Sequence, residues 1–189
     1  MSATTTKKLL TADEFAKTPD PIDGSKQELV RGEIITMAPP SFVHGIVQGN
    51  VLFALKAYAR QTRSGRVTVE SGVITEEGPD TVRGPDVAFW SFKKLPADQV
   101  PIVYANVPAD LCVEVISPGN TREKMNRKIR EYFTSGVQQV WVVDPEAKTV
   151  TIYRQAGDGR VLWDDSTITA EDILPGFSCP VAEFFQLDQ

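Results

Sequence analysis

Apolar residues recur along this chain with two periods, and the switches between them outline a fold. From His44 to Arg60 the positions Val47, Val51, Leu55 and Tyr58 follow at helical spacing, with Gly45 and Gly49 expected to allow close packing. Before this stretch, "LLTADEFAKTPD" predicts a short amphipathic helix, with Thr11 as N-cap and Glu14 three residues on. "QELVRGEIITMAP" predicts two short strands turning at Arg31-Gly32. After it, "RVTVESGVITEE" alternates as a half-buried strand. "DVAFW" and "LCVEVI" are apolar on both faces, as in central strands covered by helices. A second helix is predicted over "TREKMNRKIREYFTSG", opened by Asn120 with Glu123 three residues later and ended by Gly136. Met125, Ile129 and Tyr132 form its apolar stripe, with Phe133 beside it. "VQQVWVVD" and "TVTIYR" follow as strands around the turn "PEAK". This order predicts an α/β fold with a central mixed sheet flanked by helices.

Composition narrows the class without naming a function. The 189 residues suit a single domain spanning 1–189, with residues 1–9 a loose N-terminal segment. A net charge of −5 offers no global basic field to attract nucleic acid, so any such contact must be local. No apolar run reaches the ~18 residues of a membrane span, and the polar start lacks a signal region. A cytoplasmic protein away from membranes is the expectation. Cys112 and Cys179 lack C-x-x-C spacing and read as structural thiols. Trp90 and Trp141 read as core or interface, and Asp144-Pro145 as a turn.

The chemistry lies in two acids placed inside apolar runs. Asp86 heads "DVAFW", and Glu114 stands in the middle of "LCVEVI". An unpaired buried carboxylate costs several kcal/mol, roughly, so each needs a partner or a task. If the two strands are neighbours, both acids can point into one cleft and offer Mg²⁺ hard oxygen ligands. The plainer alternative is that Asp86 only begins a strand after Pro85, and Glu114 pairs with a buried arginine. Lys128 borders the apolar stripe of the second helix, from where its ammonium could reach the carboxylates and orient a water. Alternatively it belongs to a solvated basic set with Arg122, Lys124, Arg127 and Arg130, the best phosphate-contact surface in this acidic chain. Ser117 shows no nearby base in the sequence and is not read as a nucleophile.

The stretches "TVRGPDVAFW", "EVISPGNTREKMNRKIREYFTSGVQQVWVVDP" and "ILPGFSCPVAEFF" resemble, in this order, the Uma-type restriction endonuclease family of the PD-(D/E)XK nuclease superfamily. The resemblance runs from about Leu10 to Phe185. It implies a restriction-endonuclease-like fold, a divalent cation (Mg²⁺ or Mn²⁺), and Asp86 with Glu114 as the acidic pair. The usual lysine two residues after the glutamate is replaced here by Ile116, and Lys128 matches the lysine that this family carries on the following helix. Many members have an aspartate where this chain has Lys124, which is given no site role. Glu28 in "QELVRGE" matches a family glutamate that could help bind metal or substrate. His44 matches a recurrent histidine at the start of the first long helix and could contact phosphate or water.

The reading that follows is a Mg²⁺-dependent endonuclease acting on nucleic acid, with DNA the expected substrate. Asp86, Glu114 and the Val115 backbone carbonyl would hold the metal, and Lys128 would position the attacking water. The alternative is a dimeric binding module that keeps the fold without efficient chemistry; a two-carboxylate glycosidase explains neither Lys128 nor the basic helix. A homodimer is expected, since a duplex cutter needs two sites. Its candidate interface is apolar material in a C-terminal segment with little regular structure, Trp163, Phe177, Phe184 and Phe185; the alternative for the same residues is an arm folded back over the domain's own core.

Overall fold

A computed structural model of the chain describes residues 8–119 and 121–187. The elements are, in chain order, α1 (Ala12–Phe15), β1 (Lys26–Val30), β2 (Glu33–Met37), α2 (Phe42–Thr62), β3 (Gly65–Val69), β4 (Val73–Glu76), β5 (Thr81–Arg83), β6 (Val87–Ser91) and β7 (Leu111–Val115). Then come α3 (Arg122–Ser135), β8 (Gln139–Asp144), β9 (Thr149–Gln155), β10 (Asp158–Trp163), β11 (Thr167–Ala170), β12 (Leu174–Pro180) and a 3₁₀ turn over Val181–Phe185. A six-stranded sheet runs in the order β10-β9-β8-β7-β6-β3. In it β7 and β8 are parallel while the other neighbours are antiparallel. A parallel pair cannot be joined by a tight turn, and α3 makes the crossover. This is the mixed sheet that the sequence predicts. A four-stranded sheet, β2-β1-β5-β4, stands beside it, and β11 with β12 forms a separate hairpin.

Alternation along the central strands assigns their two faces. Val113 and Val115 of β7, with Val87 and Phe89 of β6, pack with Val47, Val51 and Leu55 of α2. Cys112 of β7, with Ala88 and Trp90 of β6, packs with Met125, Ile129 and Tyr132 of α3. The two free cysteines therefore sit in different halves of the core, Cys112 with α3 and Cys179 with α2. Trp90 and Trp141 are core residues.

Several expectations are corrected. The stretch "RVTVESGVITEE" is not one strand. Glu70 takes the left-handed region at φ 51°, the chain turns, and β3 and β4 join different sheets. Gly45 and Gly49 do not serve close packing: α2 buries His44, Val47, Val51, Leu55 and Ala59, and a Cβ on either glycine would meet open space. The first helix has the expected capping box on Thr11 but stops at Phe15, short of Pro19, whose ring disfavours helix in the residue before it. Thr121 caps α3, its hydroxyl accepting the Lys124 N–H at 3.3 Å; the Asn120 named as the cap from sequence lies outside the described residues. Gly136 ends α3 as expected, at φ 98°.

The C-terminal arm follows the folded-back alternative and not the interface reading. It forms β11, β12 and the 3₁₀ turn, and it folds back over the face of the sheet that α2 covers. Phe177 meets the Tyr58 ring edge-on at 5.6 Å, and Phe184 is fully buried. Burying a phenylalanine contributes roughly 2–3 kcal/mol, so these rings are spent on the chain's own core. Phe185 is partly buried against the same cluster, while Trp163 stays 59% exposed. Among the described residues no helix is long and apolar enough to cross a membrane.

Candidate active site

The antiparallel register of β6 and β7 pairs Val87 with Val113 and Ala88 with Cys112. One step further along the same register places Asp86 opposite Glu114. The two acids are thus brought together by strand pairing, as the sequence suggests. Asp86 lies just ahead of β6, after Pro85, and its Oδ2 accepts the Val115 N–H at 2.7 Å. Gln48 of α2 donates to the Asp86 carbonyl at 2.9 Å, which anchors the backbone here.

Each carboxylate is buried and each has its own set of partners. Asp86 Oδ1 lies 3.2 Å from Lys26 Nζ and 3.5 Å from His44 Nε2. Burial works to raise the Asp86 carboxyl, but the His44 ring, the Lys26 charge and the Val115 N–H outweigh it and hold it down at about 2. Glu114 takes both oxygens to Lys128 Nζ, at 3.1 and 3.0 Å, and accepts the Tyr132 hydroxyl at 2.5 Å. Burial pushes the Glu114 carboxyl up and the Asp86 charge adds to this, with Lys128 pulling the other way. The partner of Glu114 is therefore Lys128 and not a buried arginine.

Glu28 is drawn into the same cluster. On β1 it accepts from Arg83 Nη1 at 2.8 Å and from the Gly84 N–H at 3.1 Å, and it lies 2.9 Å from Lys128 Nζ. Burial would raise its carboxyl; the Lys128 and Arg83 charges more than offset that, and the net direction is down. Arg83 also grips Glu131 of α3 through Nε at 2.6 Å and Nη2 at 3.1 Å. One ammonium, Lys128, thus spans Glu28 of the small sheet and Glu114 of the large one. An ammonium has three N–H donors, and the three carboxylate contacts use them. Burial alone would lower the Lys128 pKa; the two carboxylates reverse that and keep it protonated.

His44 stands in the first turn of α2, where the Ser41 hydroxyl accepts its backbone N–H at 3.2 Å. Its ring Nδ1 is 2.9 Å from Ser117 Oγ, and its Nε2 faces Asp86. This corrects the reading that Ser117 has no base nearby. The histidine is 73 residues away in sequence, so only the fold brings the pair together. Lys26, Arg83 and Tyr132 were not singled out for the site. Alternation puts Lys26 on the same face of β1 as Glu28, which was the available signal. On α3, Arg122, Lys124, Arg127 and Arg130 are exposed, and Arg127 lies 3.5 Å from Glu123. Beside Lys26 a cavity of about 440 Å³ opens between β1, β5 and the Tyr104 segment.

The donor set fits a hard divalent cation in its chemistry: two carboxylates in facing register, each now balanced by a lysine ammonium. It is not a ready-made cage. Among the described residues no three His, Cys, Asp or Glu side chains converge on one point.

Comparison with known proteins places this geometry in context. The family model Uma2, described as "Putative restriction endonuclease", matches residues 12–182. The crystal structure of a "putative nuclease belonging to DUF820" from Anabaena variabilis ATCC 29413 is similar at a TM-score of 0.78 and 22% identity, over 93% of this chain and 97% of that one. Likeness at that identity concerns the fold, and it bears out the restriction-endonuclease-like α/β class with a central mixed sheet. No curated protein matches the chain.

Proposed function

The chain belongs to the Uma2 family of restriction-endonuclease-like proteins, and from that premise we propose that it hydrolyses phosphodiester bonds in nucleic acid, with DNA as substrate and Mg²⁺ or Mn²⁺ as cofactor. The observation that carries the reading is the facing register of Asp86 and Glu114, two buried acids at one strand junction. Asp86, Glu114 and the Val115 carbonyl would hold the cation. When bound, the cation supplies charge neutralisation at the phosphate and an acidified water.

The chain's own residues set up that chemistry. Lys128 and Tyr132 fix the rotamer of Glu114, so the acid is held in one place beside the strand junction before substrate arrives. With its donors on Glu28 and Glu114, Lys128 acts first as the site's internal counterion, and it positions water through the carboxylate it holds. Ser117 orients the His44 ring, leaving Nε2 to hold a proton beside Asp86. Glu28 serves by anchoring Lys128 and Arg83. The exposed basic residues of α3 are the surface on which a nucleic-acid backbone can rest. We extend the proposal to a two-fold pair, because one chain carries one acidic pair and a duplex has two strands.

The test is thermal unfolding with millimolar Mg²⁺ or Mn²⁺, alongside cleavage of DNA and RNA. Facing carboxylates repel, so the cation should raise the melting temperature of the wild type, and much less that of Asp86→Ala. Equal stabilisation of the two proteins would sink the metal site. One observation favours a second reading, a binding module without chemistry: the donors of Lys128 are committed to carboxylates, and no three-ligand cage is preformed. Purified wild type that cuts neither DNA nor RNA with any divalent ion would put that reading first.

A further inference from the structure

Two lysines flank the acidic pair, and they are not equivalent. Lys128 comes from α3, and its side chain is 10% exposed. Its N–H groups already face buried carboxylates, two contacts to Glu114 and one to Glu28, so turning one to a ligand would break a contact inside the protein. Lys26 comes from the opposite side, as the first residue of β1. Its side chain is 19% exposed, and it meets Asp86 Oδ1 at 3.2 Å. It also lines the cavity of about 440 Å³, whose wall includes Ser25, Gln27, Pro40, Gly84 and Tyr104. Asp20 and Glu70 lie on the same wall, and Lys26 is the one basic residue among its described lining residues. An anion entering this cavity has one place to go.

The sequence makes room for that lysine. A Cβ on Gly84 would sit 3.2 Å from Lys26 Cε and 3.8 Å from its Nζ, tight against the stem. The glycine ahead of Pro85-Asp86 therefore lets the Lys26 chain run alongside the loop and deliver its ammonium to the acid. A lysine ammonium is a compact charge with rotatable donors, able to keep one N–H on Asp86 while another meets a phosphate oxygen.

We propose that Lys26, and not Lys128, is the lysine that touches the substrate, and that the cavity beside it receives the phosphodiester backbone of the strand to be cut. The proposal rests on the nuclease reading above and adds to it a phosphate-binding site on the β1 side of the acidic pair. Lys26 bridges Asp86 and the entering phosphate, so it aligns the strand against the two acids, while Lys128 stays inside.

Fluorescence anisotropy of short labelled oligonucleotides, one of DNA and one of RNA, in the presence of Ca²⁺ tests this without turnover. Wild type should bind at least one of them. Lys26→Met should bind it about tenfold more weakly, with the slope of affinity against salt reduced by about one phosphate contact. Lys26→Arg should recover most of the affinity. Gly84→Ala, which crowds the lysine stem while leaving the charge in place, should give an intermediate loss; it keeps the test decisive if Lys26→Met folds poorly. Lys26→Met that is folded, binds like wild type and keeps its salt slope overturns this proposal alone. Wild type that binds neither oligonucleotide and cuts neither overturns it together with the nuclease reading.

Discussion

Remove the ammonium of Lys128, and Glu28 and Glu114 lose a partner inside the protein at once. Lys128→Met should therefore cost about 3–5 kcal/mol in urea unfolding, since breaking a buried pair leaves its charge uncompensated. A loss under about 1 kcal/mol would contradict the geometry. Asp86 carries a pH signature of opposite origin. Its folded carboxyl, at about 2, is depressed below the ordinary 3.8, so its contribution is fully present above about pH 4 and is lost as pH falls through 2. Linkage puts that contribution at about 2 kcal/mol. In metal-free buffer the stability of wild type should fall between pH 4 and 2 more steeply than that of Asp86→Asn; parallel curves would remove Asp86 as the cause. Asp86, Glu114 and Lys128 were legible in the sequence because each interrupts or borders an apolar pattern, where a charge is conspicuous. Lys26 and Arg83 sit at strand ends, where basic residues usually meet water; only the alternation that puts Lys26 on the face of Glu28 hints at its place, and nothing local marks Arg83 as internal. Ser117 and His44 were illegible as a pair because sequence distance hides contact.

Among the elements, the periodicities read well where one face of an element meets one partner. The stripe of α3, the strands β6 to β9 and the hairpin at Arg31-Gly32 all stand where the pattern put them. The error at β3 and β4 has a physical reason: alternation reports which side of a strand is buried, not which sheet it joins. The turn at Glu70, Ser71 and Gly72 preserves the alternation while redirecting the chain. Gly72 lets Tyr104 pack closely on that turn, since a Cβ there would fall 2.4 Å from the Tyr104 ring and 3.0 Å from Val82. Gly72→Ala should destabilise the protein by about 1–3 kcal/mol, the usual cost of overpacking, and thermal unfolding would measure it. A neutral substitution would mean that Tyr104 swings aside freely. The cap of α3 was misplaced for a lesser reason. Asparagine and threonine both cap helices, they are adjacent here, and backbone geometry alone selects between them.

For the whole molecule, the class of the fold was legible from the order of elements, but the destination of the C-terminal aromatics was not. A ring buried under its own arm and a ring buried by a second copy have the same sequence signature, and Phe177 and Phe184 turn out to serve the chain's own core. The dimer we propose must therefore form without them. Sedimentation at micromolar concentration should give twice the 20.8 kDa of one chain; a clean monomer would rule it out. One feature of the site reaches beyond the site. Arg83 of β5 holds Glu28 of β1 and Glu131 of α3, and Lys128 of α3 joins that same Glu28 to Glu114 in the central sheet. The small sheet is thus riveted to the large one through buried charge, and it cannot lift away without exposing three carboxylates to new surroundings. In native-state hydrogen exchange, the amides of β1 and β5 should open with the same free energy as those of β7, as one cooperative unit, although β1 and β5 lie outside the central sheet.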